Sequence, residues 1–383
     1  MVRFAHISDT HLGFRQYNLA EREIDFYDSF HEAIDKIVEE KVDFVIHTGD
    51  LFEHYRPKVD ALLHALKAFK KLNEKGIKVY AIPGNHDLQI RTGFTPPHAL
   101  YQDFGVVLLG KKRTSVYLKK DDLFIAGLPY HHRHYSDVLL NKINELSKAA
   151  ENYKKSILLL HQGLDAYLPW EGAYELRITD LPTNFHYYAL GHIHKRIQQK
   201  YGNGYISSSG SIDIWRMDEV ENFKQYNKGF TVVDLEYDKP EIHFISLEKI
   251  RYFDKQIISI DNLENEIEKL YENIKKINEI SLKKPIIGLE LKGKMEFENA
   301  YYINLITQKI GNLVFDIRYN FHPIGEELED FVESSLAISE IFLKMMDNNP
   351  TNANFAELLF DLFREKSVLD AVKLSETFYE ENW

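Results

Sequence analysis

Over roughly the first 250 residues, short apolar runs alternate with stretches in which apolar residues recur every three to four positions. The stretches Glu21–Glu40 and Lys58–Lys75 have this helical period and predict amphipathic helices. The apolar runs predict strands at Arg3–Ile7, Phe44–His47, Val79–Ile82, Val106–Leu109, Leu123–Gly127, Ile157–Leu160, Tyr187–Leu190, Tyr205–Ser208, Phe230–Leu235 and Ile242–Ile245. The first half has βαβ order and the second half is rich in strands. We therefore expect an α/β fold in which two sheets form a sandwich flanked by helices.

The pattern changes after residue 250. Strand, helix, strand, helix and strand are predicted in turn at Phe253–Ile260, Leu263–Ile280, Pro285–Leu291, Ala300–Ile310 and Leu313–Tyr319. This order predicts a small, separate α+β domain over residues 251–322, after a first domain over residues 1–250.

A helical segment is predicted over residues 323–383. Its helices are expected at Glu326–Met346, Phe355–Phe363 and Val368–Tyr379, with a break around Pro350. The last two helices carry more apolar side chains than so short a hairpin can bury alone. We therefore expect a partner protein to cover them.

Length and composition fit a globular protein without a membrane span. At roughly 150 residues per domain, 383 residues suggest two or three domains. No apolar run approaches the ~20 residues that cross a bilayer. Because the N-terminus enters a predicted strand at once, we expect no signal peptide. The chain has no cysteine, which excludes disulfides, thiolate zinc sites and cysteine nucleophiles. We expect a cytoplasmic protein, associated with the nucleoid if the source is prokaryotic.

The net charge of −12 is unevenly distributed. From Gly325 to Trp383 there are 14 acidic and 4 basic residues, a net of −10, which leaves −2 on the preceding 324 residues. The acidic tail is therefore expected to meet a basic protein surface. The rest of the chain can accept a nucleic acid, particularly where bound metal ions add positive charge.

Five short stretches supply metal ligands, each close to the end of a predicted strand. They are Asp9-Thr10-His11, Gly49-Asp50, Gly84-Asn85-His86-Asp87, His161 and Gly191-His192-Ile193-His194. Ligands at the ends of successive buried strands converge on one edge of a sheet. Taken singly, each stretch is more typical of a turn, a helix cap or a structural histidine, but their joint order is not. The set suits two divalent cations about 3.5–4 Å apart, the arrangement that hydrolyses phosphate esters.

The order of these motifs resembles the calcineurin-like metallophosphoesterase superfamily. The likeness is greatest to one branch, the nuclease subunit of the DNA double-strand-break repair complex, which partners an SMC-like coiled-coil ATPase. It rests on five stretches: Asp9-Thr10-His11-Leu12-Gly13, Gly49-Asp50-Leu51-Phe52, Gly84-Asn85-His86-Asp87, His161-Gln162-Gly163 and Ala189-Leu190-Gly191-His192-Ile193-His194. The α+β domain resembles that family's capping domain, and the helical tail resembles its ATPase-binding segment.

The resemblance implies a role for each of these residues. Asp9, His11, Asp50 and His194 would hold one metal ion, and Asp50, Asn85, His161 and His192 the other. His86 would act on the scissile phosphate and not on the metals. Separately from the resemblance, the position of Asp87 next to His86 predicts that this acid orients the ring through a hydrogen bond. The family often has a histidine three residues after the bridging aspartate. Here Glu53 takes that position, and the next residue, His54, is a candidate substrate contact. Ligands of nitrogen and oxygen without thiolate suit Mn²⁺ well and zinc or iron less decisively. The resemblance implies two Mn²⁺ ions per chain.

The activity implied is 3′→5′ exonuclease action on double-stranded DNA and endonuclease action on single strands. A phosphatase or cyclic-nucleotide phosphodiesterase on the same scaffold is an alternative, although neither explains the second domain and the tail. A non-catalytic scaffold protein is a further alternative. The resemblance also implies a homodimer. The candidate contact is a helical apolar stripe, which alternatively covers the sheet: Val59, Leu62, Leu63, Leu66 and Phe69, with Leu100 nearby.

Overall fold

The computed structural model describes residues 2–89, 95–110, 112–168, 173–236 and 240–323. Beyond these it describes Phe355, Ala356, Leu358, Leu359, Leu374, Ser375 and Phe378, all of them helical. The remainder of the predicted helical tail, including the helix expected at Glu326–Met346, lies outside the described residues. Within the part described, no helix is long and apolar enough to cross a membrane.

Twelve strands and four α-helices are described in the first 250 residues, outside the gaps at 90–94, 111, 169–172 and 237–239. The strands are β1 (Val2–Ile7), β2 (Phe44–His47), β3 (Lys78–Ala81), β4 (Val106–Leu108), β5 (Ser115–Leu118), β6 (Leu123–Leu128), β7 (Lys155–His161), β8 (Tyr187–Gly191), β9 (Ile197–Tyr201), β10 (Gly204–Ser208), β11 (Gly229–Leu235) and β12 (Glu241–Ser246). The helices are α1 (Ala20–Glu39), α2 (Val59–Glu74), α3 (Ser136–Ala150) and α4 (Val220–Tyr226).

The strands form two six-stranded sheets, as predicted. One has the order β12-β11-β1-β2-β3-β4 and the other the order β5-β6-β7-β8-β10-β9. In the first sheet β1 to β4 are parallel, and in the second β6, β7, β8 and β10 are parallel. Strands of this kind are buried on both faces, which explains why they appear in the sequence as continuous apolar runs.

The apolar side chains form three layers of core. Phe4 and Ile46 from the first sheet meet Leu159 and Tyr187 from the second in a core between the sheets. The other face of the first sheet packs on α1 and α2, and the other face of the second sheet packs on α3. The result is a helix–sheet–sheet–helix sandwich, and this confirms the predicted architecture.

A third sheet follows residue 250. Its order is β13 (Phe253–Ser259), β14 (Ile286–Gly293) and β15 (Asp316–Pro323), with α5 (Leu263–Ile280) and α6 (Asn299–Ile310) between them along the chain. The predicted order of elements is confirmed, but the start of the last strand is wrong. Leu313 donates its backbone N–H to Ile310 in a turn, so the strand begins only at Asp316.

The contacts within the chain group it into two units. One takes in Met1–Ile258, Asn262–Glu290 and Asn299–Asn320, and the other takes in Ser259–Asp261, Leu291–Glu298 and Phe321–Trp383. The predicted domain boundaries at residues 250 and 322 stay a prediction.

The apolar stripe on α2 has a buried and an exposed part. Phe69 is 2% exposed and belongs to the core beneath α2, so this part of the stripe covers the sheet. Val59 and Leu63 are 69% and 45% exposed, and the nearby Leu100 is 61% exposed.

Candidate metal centre

The predicted ligands lie where five parallel strands end. Strands β1, β2 and β3 of the first sheet lead into Asp9, Asp50 and Asn85, while β7 ends at His161 and β8 leads into His192. Neighbouring strands of each group are parallel, so their carboxyl ends share one edge of the sandwich. Side chains from these strand ends lie close together there.

The loops that carry the ligands hold unusual backbone conformations. Asp9, His11, Asp50 and His192 all have positive φ values, of 51°, 44°, 51° and 71°. Residues other than glycine adopt this region at a cost, and such strain clusters at functional sites. Backbone bonds hold the first two loops together, since Thr10 and His11 both donate to the Asp50 carbonyl, at 2.9 and 3.0 Å.

Two glycines let the loops approach each other closely. A Cβ on Gly49 would lie 2.3 Å from Nδ1 of His161, and one on Gly191 would lie 2.1 Å from the carbonyl oxygen of Thr48. Both distances are far below van der Waals contact. Gly49 thus brings the backbone against a ligand side chain.

The first ligand set consists of Asp9, His11 and His194, whose ligand atoms lie within 4.8 Å of one another. Nε2 of His11 and Nε2 of His194 are 3.2 Å apart, and Nε2 of His194 is 4.0 Å from Oδ1 of Asp9. Asp9 is fully buried, and its Oδ2 has no hydrogen-bond partner. An orphaned buried carboxylate oxygen beside two imidazole nitrogens fits a cation that completes the set.

The second set consists of Asp50, His161 and His192, again within 4.8 Å of one another, together with Asn85. Nε2 of His161 is 3.2 Å from Oδ2 of Asp50. Oδ1 of Asn85 lies 3.0 Å from both Nε2 of His161 and Nδ1 of His192. The same Oδ2 of Asp50 is 3.9 Å from Nε2 of His11 in the first set, so Asp50 stands between the two sets.

The charges of the centre are those of a cation site. Burial disfavours a charge on His161, but the Asp50 carboxylate outweighs it and raises the pKa of His161 to about 9. Burial likewise opposes the ionisation of Asp50, yet His161 and His11 hold its pKa well below its usual range. Burial lowers the pKa of His192 to about 3, which keeps that imidazole neutral and able to bind a metal.

His86 lies beside the first set and is partly exposed. Its ring meets that of His11 edge to face with centroids 4.9 Å apart, and its backbone N–H donates to Oδ1 of Asp50 at 2.9 Å. Its Nδ1 donates to the backbone carbonyl of Glu53 at 2.9 Å.

The prediction that Asp87 orients the His86 ring is wrong. The Asp87 carboxylate instead accepts the backbone N–H groups of Leu51, Phe52 and Gly84, at 3.2, 3.0 and 2.9 Å. Neighbours in a loop turn their side chains in different directions, so adjacency along the chain was a poor guide. Asp87 joins the Asp50 loop to the Asn85 loop.

Three residues that the sequence did not single out complete the centre. Glu53 accepts from Nδ1 of His11 at 2.8 Å and from Nε1 of Trp215 at 3.1 Å, and Glu219 accepts from Nδ1 of His194 at 3.0 Å. The Trp215 ring stacks on His11 with centroids 5.3 Å apart. His54, by contrast, is exposed, and its ring lies 5.6 Å from that of Tyr55. The signal for Glu53 was its place where related motifs carry a histidine.

Comparison with known proteins agrees with this geometry. The family model for calcineurin-like phosphoesterases matches residues 2–196, and this is the class that the fold and the ligand sets define. The chain is 36% identical to the DNA double-strand break repair protein Mre11 of Methanocaldococcus jannaschii, over 100% of this chain and 96% of that protein. Proteins of the same name from Sulfolobus acidocaldarius and Sulfurisphaera tokodaii are 34% and 40% identical, over 87% and 81% of this chain and 90% and 78% of their own lengths. The chain belongs to this Mre11 family of calcineurin-like phosphoesterases, as the motifs suggested.

Proposed function

We propose that this chain is a two-metal DNA phosphodiesterase that acts in double-strand-break repair. The observation that carries the proposal is the pair of ligand sets on either side of Asp50, one with Asp9 and the other with Asn85. Such a pair of sites is suited to holding two divalent cations against one phosphodiester. The names of the relatives support DNA repair as its setting.

Each residue of the centre has a distinct part in this proposal. Bound metal ions supply a nucleophile at neutral pH and offset the charge that builds up on the phosphoryl oxygens. Asp9, His11 and His194 would hold one ion and Asn85, His161 and His192 the other, with Asp50 shared. His86 is not in either set. It orients the scissile phosphate, or protonates the 3′ oxygen that leaves, through Nε2, because its Nδ1 is engaged with Glu53.

We propose Mn²⁺ as the metal, two ions per chain. The donors are imidazole nitrogens and carboxylate or amide oxygens, and the chain has no cysteine to offer a thiolate. Such a set accepts Mn²⁺.

We propose that the substrates are double-stranded DNA ends, degraded 3′→5′, and single strands, cut internally. Residues 251–322 would act as a capping domain after the phosphoesterase domain of residues 1–250. The helical segment of residues 323–383 would bind an SMC-like coiled-coil ATPase. Its excess of acidic residues suits a basic surface on that partner. We propose a cytoplasmic protein, associated with the nucleoid if the source is prokaryotic.

We also propose a homodimer, formed through the exposed part of the α2 stripe. Val59, Leu63 and the nearby Leu100 are the exposed apolar side chains that support it. Covering three such side chains removes apolar surface from water, which favours association.

One comparison of substrates tests the proposed activity. The metal-free chain is supplied with Mn²⁺ and given an end-labelled DNA duplex, bis-p-nitrophenyl phosphate and p-nitrophenyl phosphate. We expect metal-dependent cleavage of the duplex and the diester, with the monoester turned over far more slowly. Preference for the monoester would instead favour a phosphatase on this scaffold, and absence of all three activities with both ions bound would favour a non-catalytic scaffold protein.

A further inference from the structure

The two ligand sets differ in the groups that accept a hydrogen bond from the second ring nitrogen of their histidines. A histidine that binds a metal through one ring nitrogen usually donates its other N–H to an acceptor, and a carboxylate acceptor makes the imidazole a more basic ligand than a neutral one does. In the first set, His11 donates to Glu53 and His194 donates to Glu219, both of them carboxylates. Both histidines of this set therefore donate to a carboxylate.

Glu53 is held in place by a second hydrogen bond. Nε1 of Trp215 donates to the same oxygen, Oε2, that accepts from His11. The carbonyl of Trp215 in turn accepts a 2.7 Å bond from Gln16, whose Oε1 accepts one of 2.7 Å from the fully buried Arg22. Two N–H donors, one from His11 and one from Trp215, therefore point at the same carboxylate oxygen of Glu53. They fix the direction of the Glu53 side chain.

Glu219 is built into the fold in a comparable way. Oε1 accepts from His194, while Oε2 accepts from Ser211 at 2.8 Å and forms a short ion pair with Lys228. The side chains of Glu219 and Lys228 are 4% and 3% exposed. A buried carboxylate needs such compensation to stay ionised, so this arrangement keeps an anion behind His194.

In the second set, His161 donates to a neutral group. Nδ1 of His161 donates to the backbone carbonyl of Thr48 at 2.7 Å. His192 turns Nδ1, not Nε2, toward Asn85. Asn85 itself is a neutral ligand, where the first set has the anionic Asp9.

We infer that the two metal sites differ in affinity, with the site of Asp9, His11 and His194 the tighter, and that Glu53 and Glu219 are the positioning residues that make it so. The inference rests on the proposed two-metal function and deepens it. At low metal concentration the first site fills alone, and the second, more weakly held ion then sets the metal concentration at which cleavage begins.

Calorimetric titration of the metal-free full chain with Mn²⁺ tests this directly, without reference to activity. We expect two binding events of one ion each. His194→Ala should remove the tighter event and His161→Ala the weaker one. Glu53→Gln and Glu219→Gln should each weaken the tighter event by about 10–100-fold, the usual cost of losing such a supporting group, and leave the weaker event unchanged.

A matched control separates this effect from the loss of any buried carboxylate. Glu32 is also buried, but it accepts the backbone N–H groups of Glu248 and Lys249 and no imidazole. Glu32→Gln should leave both events unchanged. Glu219→Gln leaves the buried Lys228 without its anionic partner and can unfold the chain, which circular dichroism would reveal. Glu53 is 21% exposed, so Glu53→Gln keeps the test decisive.

The outcomes separate this inference from the proposed function. Two events of equal affinity would overturn the inference alone, as would glutamate variants that weaken both events alike or neither. A tighter event lost in His161→Ala would reverse the assignment and overturn it too. Binding of a single ion, or of none, would overturn the two-metal function itself.

Discussion

Replacing Asp50 by asparagine removes the charge shared by the two ligand sets and leaves the shape of the side chain almost unchanged. Oδ2 of Asp50 lies 3.2 Å from Nε2 of His161 and 3.9 Å from Nε2 of His11, in a side chain that is 2% exposed. At an effective dielectric constant of about 20, unit charges at the shorter distance attract by about 5 kcal/mol. That is a factor of about 10³–10⁴ in binding. A divalent ion held by Asp50 would lose at least this order of attraction.

The assay measures metal content and cleavage on one preparation of Asp50→Asn. Cleavage of an end-labelled duplex in Mn²⁺ should fall by about 10³-fold or more, because the charge lost is common to both sites. Circular dichroism should show the fold intact, since the asparagine oxygen can still accept from the His86 N–H. Asp234→Asn is the control, because Asp234 is also buried but pairs with Arg3 at the far end of β1. Near-normal cleavage by Asp50→Asn, with both ions retained, would refute the shared role of Asp50.

Three further predictions follow from the same account. His86→Ser should keep both metal ions and DNA affinity but lower cleavage by about 10²–10⁴-fold, the range for a positioned acid or base; loss of one ion per chain would make His86 a ligand. Deleting residues 348–383 should leave cleavage of short DNA intact and abolish association with the coiled-coil ATPase, and co-purification that survives the deletion would show that the tail is not the docking element. In the metal-free chain, NMR titration should give His161 a pKa of about 9, raised from 6.5. Its contribution to stability is then fully present below pH 6.5 and is lost as the pH rises through about 9. Since Mn²⁺ must displace that proton, its affinity should rise over the same interval, and an affinity independent of pH there would contradict the assignment.

The sheets and the candidate metal ligands could be predicted from the sequence for one physical reason. Strands buried on both faces are continuous apolar runs, and polar residues that follow them directly, such as Asp9 and His161, must emerge at a sheet edge. An edge strand such as β9, with the sequence Ile197-Gln198-Gln199-Lys200-Tyr201, is largely exposed and has no apolar run to reveal it. That is why it was not predicted.

The residues that contact the candidate ligands from outside the two sets could not be predicted in the same way. Glu219 comes from a 3₁₀ turn before α4, 25 positions from His194, and no periodic pattern links the two. Trp215 depends on a loop that Arg22 and Gln16 fix from another element. The Asp87 carboxylate is directed by the backbone N–H groups that it accepts. Two of these belong to Leu51 and Phe52, which lie in the Asp50 loop, distant from Asp87 along the chain. Contacts of this kind come from tertiary packing rather than from local sequence.

We expect cleavage to require two metal ions, held by the two sets around Asp50. This is tested by the rate of duplex cleavage as Mn²⁺ is titrated into the metal-free chain, with bound metal counted at each point. We predict no appreciable cleavage at one ion per chain and a steep rise as the second ion binds. Full activity at one bound ion per chain, or with no bound metal, would contradict this requirement.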